Sequence, residues 1–419
     1  MTGAHWAETA QDAEFRQEVR TFVEERFPAC YRPDPEAENS LEPEDVWGYD
    51  WPADRRSPDP ERRAGAVAWA AALAEQGWIA PHLPAAYGGA GLSPVQEFVL
   101  REEMMRAEVP TVNGIGAMLL APTLMEFGTE EQRRAHLPGI ACGRTAWAQA
   151  FSEPDAGSDL AALRTTAVRA PAGPAGPEAY RVTGQKVWTS SAQYADWLFV
   201  LVRTEPDAPR HQGITFLLVD AASDGVTIRP IEDMRGATPF AEIHFDDVRV
   251  PVTQRVGEEN QGWYVAMAAL GFERAGIGAP VKFEQVLKRL VSQLRSAEGQ
   301  GLVRADTAVL RHEIARRYVE VRAHYAVARL TAAGHGAGAV PGYEASVGQL
   351  LGAELHQRLA HTGARAFGPY AQLWQRSTAP MAAAFAHMRF DAVAATLLGG
   401  TTEIQRRLIA TRGLGLPRS

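Results

Sequence analysis

Cysteine is nearly absent. Cys30 and Cys142 are the only two in 419 residues, too few and too far apart for a disulfide framework or a thiolate metal site. The eleven histidines contain no His-x-x-x-His pair, and His356 and His361, five apart, fall on different faces of a helix, so no metal centre is expected. No uninterrupted apolar run approaches the roughly 18 to 20 residues of a membrane span. The stretch from Met1 to Phe15 has neither the basic flank nor the apolar centre of a secretion signal, which sets the expectation of a cytoplasmic protein. An excess of positive charge is missing as well. A net charge of -8 and a pI near 5.8 argue against general affinity for nucleic acid, which rests on clustered Lys and Arg.

What is present has the texture of a soluble globular chain, with 46% hydrophobic and 22% charged residues, near the usual averages. The pattern is helical over residues 13–143, with Phe15, Val19, Phe22 and Val23 at three-to-four spacing and further helical stretches near 64–76 and 94–107. Residues 33–63, rich in Pro, Asp and Glu, read as an irregular surface excursion. Between Thr145 and Val256 short β-rich runs appear, at 179–183, 197–202, 213–219, 226–229 and 242–245, with 170–177 as an exposed loop between two strands. Long helical patterns return after Gly262, notably over 303–331 and 343–367, with 331–342 as a loop. The expected fold is multidomain α+β: an N-terminal helical domain (1–143), a middle β-sandwich or barrel (144–256) and a C-terminal four-helix bundle (257–419).

Two segments carry more chemistry than a turn requires. One is Gln149-Ala-Phe-Ser-Glu-Pro-Asp-Ala-Gly-Ser-Asp159; the other is Gly184-Gln-Lys-Val-Trp-Thr-Ser-Ser-Ala-Gln-Tyr-Ala-Asp-Trp197. Each leads from a strand into small residues crowded with hydroxyls, an amide and an aromatic ring, and a flat polar cofactor is their natural occupant. Taken singly, Trp188 reads equally well as a core indole, Ser152 as a turn former and Gly157 as a residue tolerant of unusual backbone angles. Their joint spacing favours the cofactor. By contrast, Tyr87-Gly-Gly-Ala-Gly-Leu92 lacks the strand and helix that a nucleotide loop needs, and reads as a turn.

These segments, together with Leu398-Gly-Gly-Thr-Thr-Glu-Ile-Gln405 near the C-terminus and the order helices, strands, helices, make the chain resemble the flavin-dependent acyl-CoA dehydrogenases along nearly its whole length. The resemblance implies FAD as cofactor and removal of hydrogen from Cα and Cβ of an acyl-CoA thioester, with electrons passed to electron-transfer flavoprotein. It places Gln149, Phe151 and Ser152 at the flavin ring edge, partly through backbone groups. Trp188 covers one side of the ring and the Ser190 hydroxyl lies near N5. Gly157 and Ser158 lie where the FAD diphosphate and the pantetheine chain of the substrate converge, and Thr401 and Glu403 resemble further cofactor contacts. Independently of the family, Thr401 reads as an N-cap with a nearby acid.

The reaction needs a base for the weakly acidic α-proton, in a pocket shielded from water. Many family members carry a glutamate just before the Gly-Thr of the C-terminal motif, but Gly399 stands there. A minority branch carries it at the start of the first helix of the last domain, before an arginine, and the match here is Glu273-Arg274. The resemblance thus implies Glu273 as catalytic base, with Arg274 fixing the helix or the glutamate near the substrate and Glu403 as the fallback. A glutamate held at a helix N-terminus is the plainer alternative.

Two segments depart from the family. The Arg-x-x-Phe-Gly and Gln-x-x-Gly-Gly-x-Gly motifs, with which a neighbouring subunit holds the adenosine half of FAD, are replaced by Leu294-Arg-Ser-Ala-Glu-Gly-Gln-Gly301 and Arg365-Ala-Phe-Gly-Pro-Tyr-Ala-Gln372. Either other residues of a homo-oligomer, dimer or tetramer, do this work, or a related subunit completes the site in a heterotetramer, as in relatives acting on sterol side chains. The homo-oligomer is the simpler expectation. Rival readings on the same fold are a flavin oxidase or hydroxylase, a dehydrogenase of carrier-protein thioesters, and a non-catalytic subunit of a hetero-oligomer.

Overall fold

The computed structural model describes residues 8–32, 49–173, 176–273, 278–336, 343–375 and 377–417. Helices α1 (Ala10–Arg26), α2 (Trp51–Asp54), α3 (Pro60–Glu75), α4 (Pro94–Arg106), α5 (Ala121–Phe127) and α6 (Glu130–Ala141) come first. Their starts are written in the sequence. Thr9 with Asp12, Ser93 with Gln96 and Thr129 with Gln132 form capping boxes at α1, α4 and α6, each satisfying backbone N–H groups that a helix leaves open. The stretch 33–63 is less irregular than its composition implies. Residues 33–48 lie outside the described residues, but Trp51 and Asp54 are buried, and α3 begins at Pro60. The Asp54 carboxylate accepts hydrogen bonds from Tyr31 and Arg62 and binds this segment to the core.

The middle region is an eight-stranded sheet ordered β6-β7-β3-β2-β4-β5-β8, with β1 pairing β4 in parallel. The strands are β1 (Trp147–Ala150), β2 (Thr166–Ala170), β3 (Ala179–Ser190), β4 (Trp197–Arg203), β5 (Ile214–Asp220), β6 (Val226–Ile231), β7 (Phe240–Pro251) and β8 (Arg255–Val256). Two of them, β2 and β8, are too short or too polar to announce themselves in the sequence. β4 and β5 read as continuous apolar runs because both of their faces are covered. Leu198, Val200, Val202, Leu217 and Val219 point into the core enclosed by the strands. Phe199, Leu201, Ile214, Phe216 and Leu218 point the other way, into a core shared with the N-terminal helices.

The last region contains α7 (Gly262–Glu273), α8 (Gly278–Arg295), α9 (Ala297–Leu302), α10 (Thr307–Gly336), α11 (Tyr343–Phe367), α12 (Ala384–Ala395) and α13 (Thr402–Leu408). The expected loop 331–342 gives way to helix as far as Gly336, and residues 337–342 lie outside the described residues. The four-helix core joins Phe283, Leu287 and Leu290 of α8, Leu310 and Val321 of α10, Leu355 and Leu359 of α11, and Phe385 and Met388 of α12. Full burial of each such side chain stabilises by about 1.5–3 kcal/mol.

A charged seam joins the first region to the bundle. Glu102 on α4 is nearly inaccessible and meets Arg16 of α1 at 2.9 Å, Arg106 at 2.8 Å and the Tyr325 hydroxyl of α10, which donates to it at 2.6 Å. Burial alone would raise this carboxyl, but Tyr325, Arg106 and Arg16 outweigh it and hold Glu102 below the usual carboxylate range.

Two imidazoles of the bundle titrate abnormally: burial pushes His324 and His356 down to about 4. Between about 4 and the ordinary value of 6.5 the unfolded chain binds protons that the folded chain refuses, so stability falls as pH drops through that window. Asp391, pushed up by burial to about 6, works in the opposite direction because the folded state takes up its proton first. Urea midpoints are expected to fall between about pH 7 and pH 5, and the double variant His324→Gln, His356→Gln is expected to flatten or reverse that slope. An unchanged slope in the double variant would assign the acid sensitivity elsewhere.

Candidate active site

The two chemistry-bearing segments meet at the far end of β3. The sequence from Gly184 to Ser190 reads as a turn, but it is the second half of a 12-residue strand that breaks its pairing with β7 between Lys186 and Thr189. The resulting bulge turns Trp188 outward at φ 61°, with 58% of its surface exposed and its ring edge-on to Phe240, the ring centroids 6.1 Å apart. A bulky residue in the left-handed region costs about 1–2 kcal/mol, and an exposed indole gains little burial to offset it. Such strain clusters at functional sites. The core-indole reading of Trp188 is therefore set aside by its exposure.

Beside it, the hydroxyl of Thr189 is buried without a hydrogen-bond partner among the described residues, and Ser190 is half-buried opposite Phe240. Backbone bonds bring the other segment alongside: the Val187 N–H donates to the Ser152 carbonyl at 2.9 Å. Gln149 on β1 and Ser152 are half-buried. Gly157 and Ser158 are exposed, and an added Cβ at Gly157 would meet nothing within 4 Å, so that backbone is open to close approach. Phe151 turns its ring away from this surface. Its ring is buried against Phe199 and Phe216 at 5.7 and 5.8 Å, and its carbonyl accepts from Lys186, so its side chain belongs to the core.

Lys186 and Glu153 are the residues that motif reading passed over. The Lys186 ammonium is fully buried and donates to the Phe151 carbonyl at 3.0 Å and to the Glu153 carboxylate at 2.8 Å. The same carboxylate accepts from the N–H groups of Arg164 at 2.6 Å and Thr165 at 2.8 Å. Burial pushes Lys186 down to about 8, against the attraction of Glu153. Burial would raise Glu153, but Lys186 and the donors around it prevail and hold it ionised. The available signal was a Glu in one motif and a Lys in the other, both in segments otherwise made of small and apolar residues.

The C-terminal motif is a tight turn feeding α13. Gly399 and Gly400 have φ of 63° and 92°, and Thr401 caps α13 by accepting from the Ile404 N–H at 3.3 Å. Glu403 is exposed on the first helical turn. Its own backbone N–H and the Thr401 and Thr402 hydroxyls keep its carboxyl low, which suits it poorly to proton abstraction. Gln405, absent from the expected residues, is fully buried and donates to the Gly399 and Gly400 carbonyls at 2.9 and 3.2 Å. α13 packs on α11 within the last region, whereas the Trp188 cluster is built on β1 and β3.

Glu273 is not at a helix start, because α7 already begins at Gly262. Its side chain, and all of Arg274, lie outside the described residues. The segments that replace the family's adenosine-binding motifs serve as corners of the bundle. Ser296 caps α9 and Gly299 fits against the Gln293 carbonyl; Arg365 pairs with Glu313 and Phe367 is buried.

Three family patterns match: acyl-CoA dehydrogenase N-terminal domain over residues 53–144, middle domain over 148–248 and C-terminal domain over 260–414. Acyl-CoA dehydrogenase IpdE1 of Mycobacterium tuberculosis (strain ATCC 25618 / H37Rv) is 38% identical over 369 residues, covering 85% of this chain and 89% of that protein. The chain belongs to the acyl-CoA dehydrogenase family. Among solved structures, the Tcur3481-Tcur3483 steroid ACAD matches with a TM-score of 0.81 at 28% identity, covering 99% of both chains. The ChsE4-ChsE5 complex from Mycobacterium tuberculosis matches with a TM-score of 0.80 at 30% identity, covering 99% of this chain and 100% of that one.

Acyl-CoA dehydrogenases are FAD-dependent oxidoreductases, and the Trp188 cluster fits that cofactor. It offers an exposed aromatic wall, a buried hydroxyl lacking a partner and half-buried polar side chains within one small surface. No group of His, Cys, Asp and Glu among the described residues could hold a metal ion, and none of the described helices is long and apolar enough to cross a membrane. Replacing Trp188 by Gly is expected to leave the flavin-free protein as stable as the parent or more stable by about 1 kcal/mol, while weakening flavin binding. Urea unfolding and flavin titration measure the two effects. A clear loss of stability would make Trp188 a packing residue instead.

Proposed function

We propose that this chain removes the Cα and Cβ hydrogens of an acyl-CoA thioester to give the 2,3-enoyl-CoA, with electron-transfer flavoprotein as acceptor. The observation that carries this reading is the strained, outward Trp188 beside the unpartnered Thr189 hydroxyl. When bound, FAD supplies the hydride acceptor for the β-carbon. Trp188 would cover one side of its ring, Gln149, Ser152 and Ser190 would bond its polar edge, and the open backbone at Gly157 and Ser158 would admit the cofactor diphosphate and the substrate's pantetheine chain. Phe151 would contribute through its backbone, its carbonyl already taken by Lys186. Glu273 would take the α-proton, with Arg274 beside it. Gly399 offers no carboxylate, and Glu403 is exposed on the first turn of α13.

Similarity to a structure described as a steroid ACAD favours a bulky, polycyclic acyl group. A second subunit would complete the site with Thr401 and Glu403. A homo-oligomer is the simplest arrangement, while the two-protein ChsE4-ChsE5 complex favours a related partner. Operation in the cytoplasm belongs to the same proposal. Purified alone, a homo-oligomer would be yellow; a colourless chain that gains flavin only with a sister subunit would select the heteromer.

Glu273→Gln is expected to retain FAD yet lose anaerobic bleaching of the flavin by acyl-CoA, by at least about a thousandfold in rate, the upper part of the range for a general base. Bleaching at the parental rate would remove Glu273 from the reaction.

A further inference from the structure

We propose that the buried Lys186–Glu153 pair is a positioning device for the flavin, setting the placement of Trp188 against Ser152 and not merely filling the core. The inference rests on the reading of the Trp188 cluster as the FAD site. Lys186 occupies an inward position on β3, the face on which Tyr180 and Val182 pack into the core enclosed by the strands. An apolar side chain would serve packing there at least as well, because taking both charges out of water offsets most of their attraction. What an apolar side chain could not do is reach across to the other motif. The ammonium grips the Phe151 carbonyl at 3.0 Å and Glu153 at 2.8 Å, and Glu153 in turn holds the Arg164 and Thr165 N–H groups. The next residue, Val187, donates to the Ser152 carbonyl, and the one after it is Trp188 in its left-handed conformation.

Two consecutive residues therefore bind β3 to the 151–153 segment immediately before the bulge. Trp188 itself is exposed and has few contacts of its own to fix it, so its position relative to Ser152 depends on this anchorage. Lys186 and Glu153 are positioning residues that act through the residues they hold.

The test separates folding from cofactor geometry. In Lys186→Met the Glu153 charge is left buried and unpaired, so that variant is expected to be destabilised. In the double variant Lys186→Met, Glu153→Gln no unpaired charge remains, and the carboxamide oxygen introduced at position 153 still accepts from one of the Arg164 and Thr165 N–H groups, which in the parent bond separate carboxylate oxygens. The double variant is expected to regain most of the urea midpoint of the parent. Its FAD dissociation constant is nevertheless expected to rise by about tenfold or more, the scale of a supporting interaction behind a binding site, with less quenching of flavin fluorescence by Trp188 and altered visible circular dichroism. Recovery of flavin affinity and spectrum along with stability would overturn the proposal and leave the pair purely structural. A double variant that unfolds despite matched charge would equally overturn it, since the pair would then be needed for the fold. If the parent protein, reconstituted with FAD alone and with its oligomeric partner, binds none, the underlying FAD reading fails, and that outcome is seen before any variant is made.

Discussion

A single buried ammonium organises the centre of this enzyme. Lys186 sits where a strand of the β-region should place an apolar side chain, and its compensation is the Glu153 carboxylate and one backbone carbonyl. Removing either partner alone would strand a charge in a medium that cannot solvate it. The constraint runs outward from there. Glu153 closes the irregular turn that follows β1, Val187 ties β3 to the same turn, and the bulge that presents Trp188 comes next in the chain. The residue proposed as the cofactor wall is thus the exposed end of a buried polar anchor.

The surroundings keep that anchor dry. β4 and β5 are covered on both faces, by the core of the β-region on one side and by the N-terminal helices on the other, so the sheet serves as a partition between two cores. The seam of Glu102, Arg16, Arg106 and Tyr325 then joins the N-terminal helices to the bundle. Three regions distinguishable by composition are thus joined through a shared core and one charged seam.

The order of helices, strands and helices was legible because each has its own period, and because caps such as Ser93 with Gln96 mark helix starts. The double coverage of β4 and β5 showed as unbroken apolar runs. Short strands such as β8, with two residues, carry too little pattern to declare themselves. Motif spacing singled out Trp188, Ser190 and Ser152, which the fold brings together, but spacing says nothing about direction and did not show that the Phe151 ring faces the core. Lys186, Glu153 and Gln405 were passed over for a related reason. A polar residue buried for the sake of another polar residue looks, in one dimension, like an ordinary surface residue. The placing of Glu273 at a helix start failed because apolar α7, which begins at Gly262, has no boundary signal near residue 270.

The paired glycines ahead of α13 carry an energetic consequence. With φ of 63° at Gly399 and 92° at Gly400, the turn has settled into a shape that side-chain-bearing residues resist, and Gln405 is fitted to its carbonyls. A side chain at position 399 would carry the left-handed strain of about 1–2 kcal/mol, so a carboxylate there would have to contribute more than that to binding or catalysis to be worth its place.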